Sequence, residues 1–535
     1  MPASANEIIK RLERLRALRQ PHEYVWRDCF DHSFPMRGSG LQGNTLTAQQ
    51  GMDIKARLVD STATDAGRIL ASSLQGGMTP ASGRWFELDV HQVDDQGKLW
   101  LDNSADQLHT EIHNANFDSE GFEAMMDIVA AGWFAMHIAE DKGGGLVFDS
   151  WPIAQVYAAS TQASGIVDTV LRCYTLTAVQ CVSEFGEGNV SEFVRKKAML
   201  EPEEPIELVH AIYPRTMYAD NARMARNMPI ASCHVEVNQK LIVRESGYEE
   251  MPVVVPRWSV IPDTCYAVGP MFDALPDARM LNEMKRMDLA SADIAIGGMW
   301  IAEDDGVLNP RTIKVGARKV IVANSVDSMK PLLSGSNWQL ADERIGQLQA
   351  GIRKLLMADQ LHPQDGPAMT ATEIHARIAL IRQQLGPMFG RMQAEYLNGL
   401  VTRCFMIAFR AGIFAPPPES LAGRAFTVQY ISPLARSQKL EDVTAIQNFN
   451  ATLMQTAQAH PAVLDLVDFD EQTRTLANGL GVPFKTLNDA KAVTALRDER
   501  QKQQAAQQQA QQAQQMQTMM AQGAVDGQVA QAKAA

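Results

Sequence analysis

Through the first 140 residues apolar positions recur at helical spacing, broken at "FPMRGSGLQGN" and "QGGMTPASGRW". The opening segment places Ile8, Leu12, Leu15 and Leu18 on one stripe of a charged helix. In "LVDSTATDAGRILASSLQGGMTPASGRWFEL", residues 58 to 88, Ala63, Ala66, Ile69, Leu70, Ser73 and Leu74 form a small-residue stripe. Asp60 or Ser61 is a good N-cap for it, Gly76-Gly77 the expected stop, and Pro80 a bar to resumption. From about 145 to 260 the period shortens to that of strands, in "GLVFDSWPIAQVYAA", "GIVDTVLRCYTLT", "IELVHAIYPR", "ASCHVEVNQKLIVRESGY" and "MPVVVPRWSVI". Helical spacing then returns. Pro276 is placed to start a helix with Met280, Met284, Met287 and Ile294 on one face, roughly 30 Å long.

Residues 298 to 340 predict a small β-rich excursion, and Ile345, Leu348, Ile352 and Leu355 a second helix. "LHPQDGPAM" is a loop. Behind it Thr370 and Glu373 form a capping box that opens a helix of roughly 60 Å to about Ala411, kinked at Gly386-Pro387. Short helices follow to about 490. The Gln/Ala-rich end fits either a disordered tail or a helix that is stable only beside copies of itself.

Composition narrows the class. With 535 residues, 46% hydrophobic and 21% charged, the chain can build two or more cores. A net charge of −13 argues against a surface that grips nucleic acid throughout, so any DNA contact is local or weak. The six cysteines are scattered, with no zinc or redox spacing, as for buried thiols in a reducing compartment. No apolar run approaches the roughly 20 residues of a membrane span, and a soluble, intracellular chain is expected.

Catalytic motifs are sparse. "HTEIH" sets His109 and His113 one helical turn apart, but Glu111 falls midway, where it points away from a metal held by both, so a histidine pair without metal is favoured. The Walker A frame, the nucleophile elbow and the dinucleotide fingerprint are all missing. Lys285 and Arg286, Lys314, Arg318 and Lys319, and Arg353 and Lys354 read either as solvated charges or as sparse phosphate contacts in an acidic passage.

Residues 58 to 88 resemble the N-terminal signature of portal proteins, the head-to-tail connectors of short-tailed bacteriophages. The likeness continues in order through "GFEAMMDIVAAGWFAMHIAED", "GIVDTVLRCYTLTAVQCVSEFG", "MPVVVPRWSVIPDTCYAVGPMFDALPDARMLN", "MTATEIHARIALIRQQLGPMFGRM" and "FTVQYISPLARSQKLED". One departure is Ala267, where the family pattern suggests glycine. The resemblance implies an α+β portal-type subunit: a mixed wing at 1–273, stem helices at 274–297 and 341–360, and a β-rich clip at 298–340. It also implies a tunnel loop at 361–369, a spine helix at 370–412, a wing or crown return at 413–485 and a crown or barrel helix with tail at 486–535.

The implied assembly is a ring, usually of twelve subunits, at one capsid vertex. Double-stranded DNA is packaged through it by a terminase and later ejected, and the ring's partners include scaffold, major capsid protein and tail adaptors. His362, Gln364 and Asp365 would approach DNA in the tunnel, with Lys285, Arg286, Arg353 and Lys354 facing the channel. Lys314, Arg318 and Lys319 would form the clip's partner surface, and Arg84, Trp85 and Phe86 would serve assembly and packing. No enzyme activity, metal, cofactor or membrane is implied; the site is the virion vertex, with the host cytoplasm during assembly. Acidity then has a use, since a conduit must not bind what slides through it. Two other readings are a metal-dependent hydrolase using "HTEIH" with Glu120 or Asp127, and a scaffold joined by a coiled coil in the Gln-rich tail.

Overall fold

The computed structural model describes residues 4–41, 48–90, 94–141, 143–163, 165–216, 224–297, 299–302, 329–332, 338–361, 386, 388–421, 427–430, 433–459, 463, 466–480, 486 and 493–507. The chain divides into two compact units. One comprises Met1–Glu87, Ser104–Ala415 and Val428–Ser432, the other Leu88–Asn103, Pro416–Thr427 and Pro433–Ala535. The result is the expected mixture of helix and sheet.

Helix α1 (Ala5–His32) opens on a full capping box: Ser4 Oγ accepts from the Glu7 N–H at 3.3 Å, and Glu7 Oε2 from the Ser4 N–H at 2.8 Å. It runs through Pro21 because its apolar stripe continues into Trp26, Cys29 and Phe30, all buried. After α2 (Ala48–Arg57), α3 (Thr62–Met78) continues past Gly76 and Gly77, the expected stop. Met78 is fully buried, and seating it outweighs the roughly 1 kcal/mol that each helical glycine costs. Strand β1 (Phe86–Asp89) and helices α4 (Asp95–Asn114) and α5 (Phe117–Ala131) follow.

Helix α5 ends at Gly132, whose φ of 84° a side chain would resist. A Cβ there would lie 2.1 Å from the Val268 carbonyl carbon, and one on Gly269 would lie 2.5 Å from Val129 O. Two backbones therefore touch at this crossing. Beside it Trp26, Trp133 and Tyr266 form a ring triad with centroids 5.3 to 5.4 Å apart, and Trp26 Nε1 donates to Ala267 O at 3.0 Å. The glycine that the geometry requires is Gly269; Ala267, the departure from the family pattern, is fully buried without difficulty.

The strand-rich region contains β2 (Ala135–Glu140), β3 (Leu146–Trp151), β4 (Val156–Ala159), β5 (Thr169–Thr177), β6 (Pro205–Pro214), β7 (Ile230–Glu236), β8 (Leu241–Tyr248) and β9 (Val253–Val254). Two helices, α6 (Ala178–Phe185) and α7 (Glu192–Leu200), interrupt it between β5 and β6. One antiparallel sheet has the order β4-β5-β6-β7-β8, the other β3-β2-β9. Alternation along the strands separates the faces of the larger sheet. Leu171, Val209, Ala211, Cys233 and Val235 pack under α1, whereas Ile206, Leu208 and Val243 pack under α6 and α7.

Between the sheets lies an aromatic stack. His210 and His234, a cross-strand pair, stack at 3.9 Å, and His137 stacks on Trp151 at 4.9 Å, edge-on to His210 at 6.2 Å. Burial disfavours the charged rings, lowering His137 to about 4, His234 to about 3 and His210 well below the usual value. All three are neutral at pH 7.

The chain next forms the short pair β10 (Ser259–Val260) and β11 (Ala267–Val268), then α8 (Pro270–Gly297), β12 (Met299–Ala302), β13 (Met329–Leu332), α9 (Trp338–Leu355) and α10 (Ala358–Leu361). Pro270, not Pro276, takes the first-turn place in α8; Pro276 lies inside the helix. Of the expected spine, residues 370–385 and Pro387 lie outside the described residues. The irregularity seen is a π turn at Gln393–Leu397, leading into helix Asn398–Arg410. It carries Glu395 to Arg257, with Arg257 Nη2 2.7 Å from Oε1 and Nε 3.0 Å from Oε2. In the second unit Pro433–Ala459, Phe469–Leu480 and residues 493–507 are helical. Within the described residues no helix is long and apolar enough to cross a membrane.

Candidate functional site

The feature most fit for a specialised role is the hairpin formed by α8 and α9. The antiparallel pair β12 and β13 carries its connection, from Met299 opposite Leu332 to Ala302 opposite Met329. One face of α8, with Met271, Ala274, Leu275, Ala278 and Leu281, is buried. Phe272, Met280 and Met287 are exposed on the other, and Leu289 is exposed further along the helix.

A polar anchor ties both helices to the start of α3. Asn282 Oδ1 accepts from the N–H groups of Val59 at 3.1 Å and Asp60 at 3.3 Å, while Asn282 Nδ2 donates to Ala278 O at 2.9 Å. Asp60 Oδ1 accepts from the Thr62 N–H at 2.7 Å, and its Oδ2 from Gln349 Nε2 of α9 at 2.8 Å. Asp60 thus caps α3 in place of Ser61, whose side chain makes no cap bond. The small-residue stripe of α3 lets α5, α8 and α9 approach it closely. A visible signal for this anchor was Asn282, a polar residue on an otherwise apolar stripe; Gln349 had none.

The basic candidates occupy two levels. A Cβ on Gly351 would lie 3.4 Å from Asp277 Oδ2, which places Arg353 and Lys354 near the start of α8. Lys285 and Arg286 lie roughly 15 Å further along it at 1.5 Å per residue. Arg286 is exposed and pairs with Glu283 at 3.1 Å. Lys285, Arg353 and Lys354 form no ion pair with a described residue; Lys354 is exposed, the other two half-buried. His362, Gln364, Asp365, Lys314, Arg318 and Lys319 lie outside the described residues.

Trp85 and Phe86 are buried within the chain, their rings edge-on at 4.7 Å, and Arg84 Nη1 meets Asp106 Oδ1 at 3.0 Å. Trp85 Nε1 donates to His113 Nε2 at 3.3 Å, and His113 Nδ1 lies 2.9 Å from Asp118 Oδ1. His109, with its ring centroid 4.5 Å from that of His113, has its pKa lowered by burial and then by His113. The carboxylates proposed to join a metal are engaged elsewhere. Glu120 accepts from the Ser150 N–H at 3.0 Å, and Asp127 holds Arg37 through two bonds of 2.6 and 2.7 Å. Among the described residues no group of three or more His, Cys, Asp or Glu is arranged to hold a metal.

Residues 5–487 match the family described as bacteriophage head to tail connecting protein, and the chain belongs to that family. It is similar to the portal protein of Salmonella phage epsilon15, 28% identical over 523 residues that cover 93% of this chain and 91% of that protein. A probable portal protein of Bordetella phage BPP-1 is 27% identical over 514 residues, with the same two coverages of 93% and 91%. A chain in the neck of an empty GTA particle aligns with 72% of this chain and 90% of its own, at 12% identity and a TM-score of 0.35. The function is that of a phage portal: a ring-like oligomer at the virion's portal vertex, joining head to tail, through which the genome is packaged and ejected.

Proposed function

We propose that twelve copies close the ring, that a terminase drives double-stranded DNA through it, and that scaffold, major capsid protein and tail adaptors dock on its outside. The observation that carries this reading is the family match over residues 5–487, supported by two portal relatives of nearly equal length. In this reading the α8–α9 hairpin is the stem, β12 and β13 begin and end the clip, and residues 361–369 form the tunnel loop. The chain performs no catalysis; the motor is a separate protein, and subunits assemble in the host cytoplasm.

The two offset levels of basic residues on the hairpin suit this task. Sparse cations in an acidic wall centre a duplex without the multiple neutralised phosphates that would hold it. The test is head assembly with and without the chain: DNA-filled heads are expected only with it, and filling without it would overturn the reading. Asp365→Lys is expected to slow packaging while rings still form, and an unchanged packaging rate would contradict the loop assignment.

A further inference from the structure

A ring of identical subunits needs two different, complementary surfaces on each subunit, because a head-to-tail contact joins one patch to another. The five-stranded sheet carries two such surfaces on opposite faces. Under α1 a groove of about 1370 Å³ opens between that helix, the Met36–Arg37 turn and the sheet. Tyr24 and Met36 stand exposed in it at 58% and 52%, beside buried Leu12 and Tyr157. On the α6–α7 face, α7 ends in Met199 and Leu200, each 78% exposed, with Phe193 exposed nearly two turns earlier. A soluble subunit gains nothing from two adjacent large apolar side chains in water.

We infer that the Met199–Leu200 end of α7 in one subunit seats in the α1-side groove of the next subunit around the ring. The inference rests on the ring reading above. Size favours a protein segment, since the groove exceeds the ~300–1,000 Å³ of ordinary small-molecule sites. Charge agrees: Arg195, Lys196 and Lys197 precede the apolar end, and the groove presents Glu13 and Glu207, both exposed and forming no ion pair with a described residue. Lys196 and Lys197 now pair with Glu192 at 2.8 Å and Glu201 at 2.5 Å, exposed contacts that exchange for others at little cost. Of the groove's three arginines two are already held by carbonyls or carboxylates, and the exposed Arg16 donates to Tyr157 Oη at 3.4 Å. Arg19 donates to the carbonyls of Ile153, Ala154 and Val156 at 2.6 to 3.0 Å, and Arg37 binds Asp127 and Glu123.

The test uses the full chain carrying Glu13→Cys and Leu200→Cys, assembled from isotopically light and heavy subunits and treated with a short bismaleimide. A ladder of covalent multimers is expected, with peptides joining position 13 of one isotope to position 200 of the other. Rings that give no such link, or only links within a chain, would overturn the contact and leave the portal reading standing. Absence of rings in the unsubstituted protein would overturn that reading and the contact with it. A second variant, Met199→Asp with Leu200→Asp, should raise the concentration needed for ring formation about tenfold or more. Both positions are exposed, so thermal unfolding of the isolated subunit should not move. Unchanged assembly would contradict the proposal.

Discussion

The ring triad of the first unit and the helices of the second treat apolar side chains in opposite ways. Trp26, Trp133 and Tyr266 are almost wholly removed from water, with the one indole N–H of Trp26 satisfied by a backbone carbonyl. In Pro433–Ala459 and beyond, Phe449, Met454, Leu466 and Leu480 are between half and four-fifths exposed. The first pattern belongs to a core completed within one chain. The second is the pattern of side chains left for a partner to cover, beside the buried Val443, Leu453 and Ala477 of the same helices, and we propose that other copies of the chain cover them. Stability of the subunit and stability of the assembly should therefore respond to different residues.

The largest effect is expected in the triad. Trp26→Ala should lower subunit stability by about 3–5 kcal/mol, measured by denaturant unfolding at fixed protein concentration. A loss under 1 kcal/mol would erase the contrast between the two regions. Next comes acid. The three stacked histidines have folded pKa values below the unfolded value near 6.5, so their contribution is intact above about pH 6.5 and falls as the pH drops. His137, lowered to about 4, alone accounts for roughly 3 kcal/mol by pH 4. His210→Phe with His234→Phe should flatten this acid limb in thermal melts, and an unaltered limb would place the titrating groups elsewhere.

A smaller effect is expected at the anchor. Asp60→Ala removes the acceptor for the Thr62 N–H and Gln349, with about 1–2 kcal/mol lost and hydrogen exchange quickened at the start of α3 and in α9. Asp60→Asn should restore most of it. Smallest is the second unit: Met454→Ser with Leu466→Ser should change subunit unfolding by less than about 0.5 kcal/mol while weakening ring formation. If it unfolds the subunit instead, those side chains already belong to a core within the chain.

Helical and strand periods along the chain marked most of the architecture, because amphipathic stripes such as Ile8, Leu12 and Leu15 answer directly to burial. The failures had local causes. Gly76 and Gly77 resembled a helix end, yet long-range seating of Met78 carried α3 past them. Helices α6 and α7 hid between two strand-like segments, although Thr177 and Gln180 form a capping box. Of the site, Lys285, Arg286, Arg353 and Lys354 were visible as charges on helices. Their two separate levels were not, since these follow from how α9 lies along α8. Arg257 and Glu395 are 138 residues apart, and no local pattern pairs them, although Glu395 sits in the π turn.

Native mass combined with negative-stain imaging of the purified chain tests the central claim most directly. The account predicts rings with a central hole and a mass about twelve times the 58.9 kDa of one chain. A monomer or dimer at every salt concentration would contradict it.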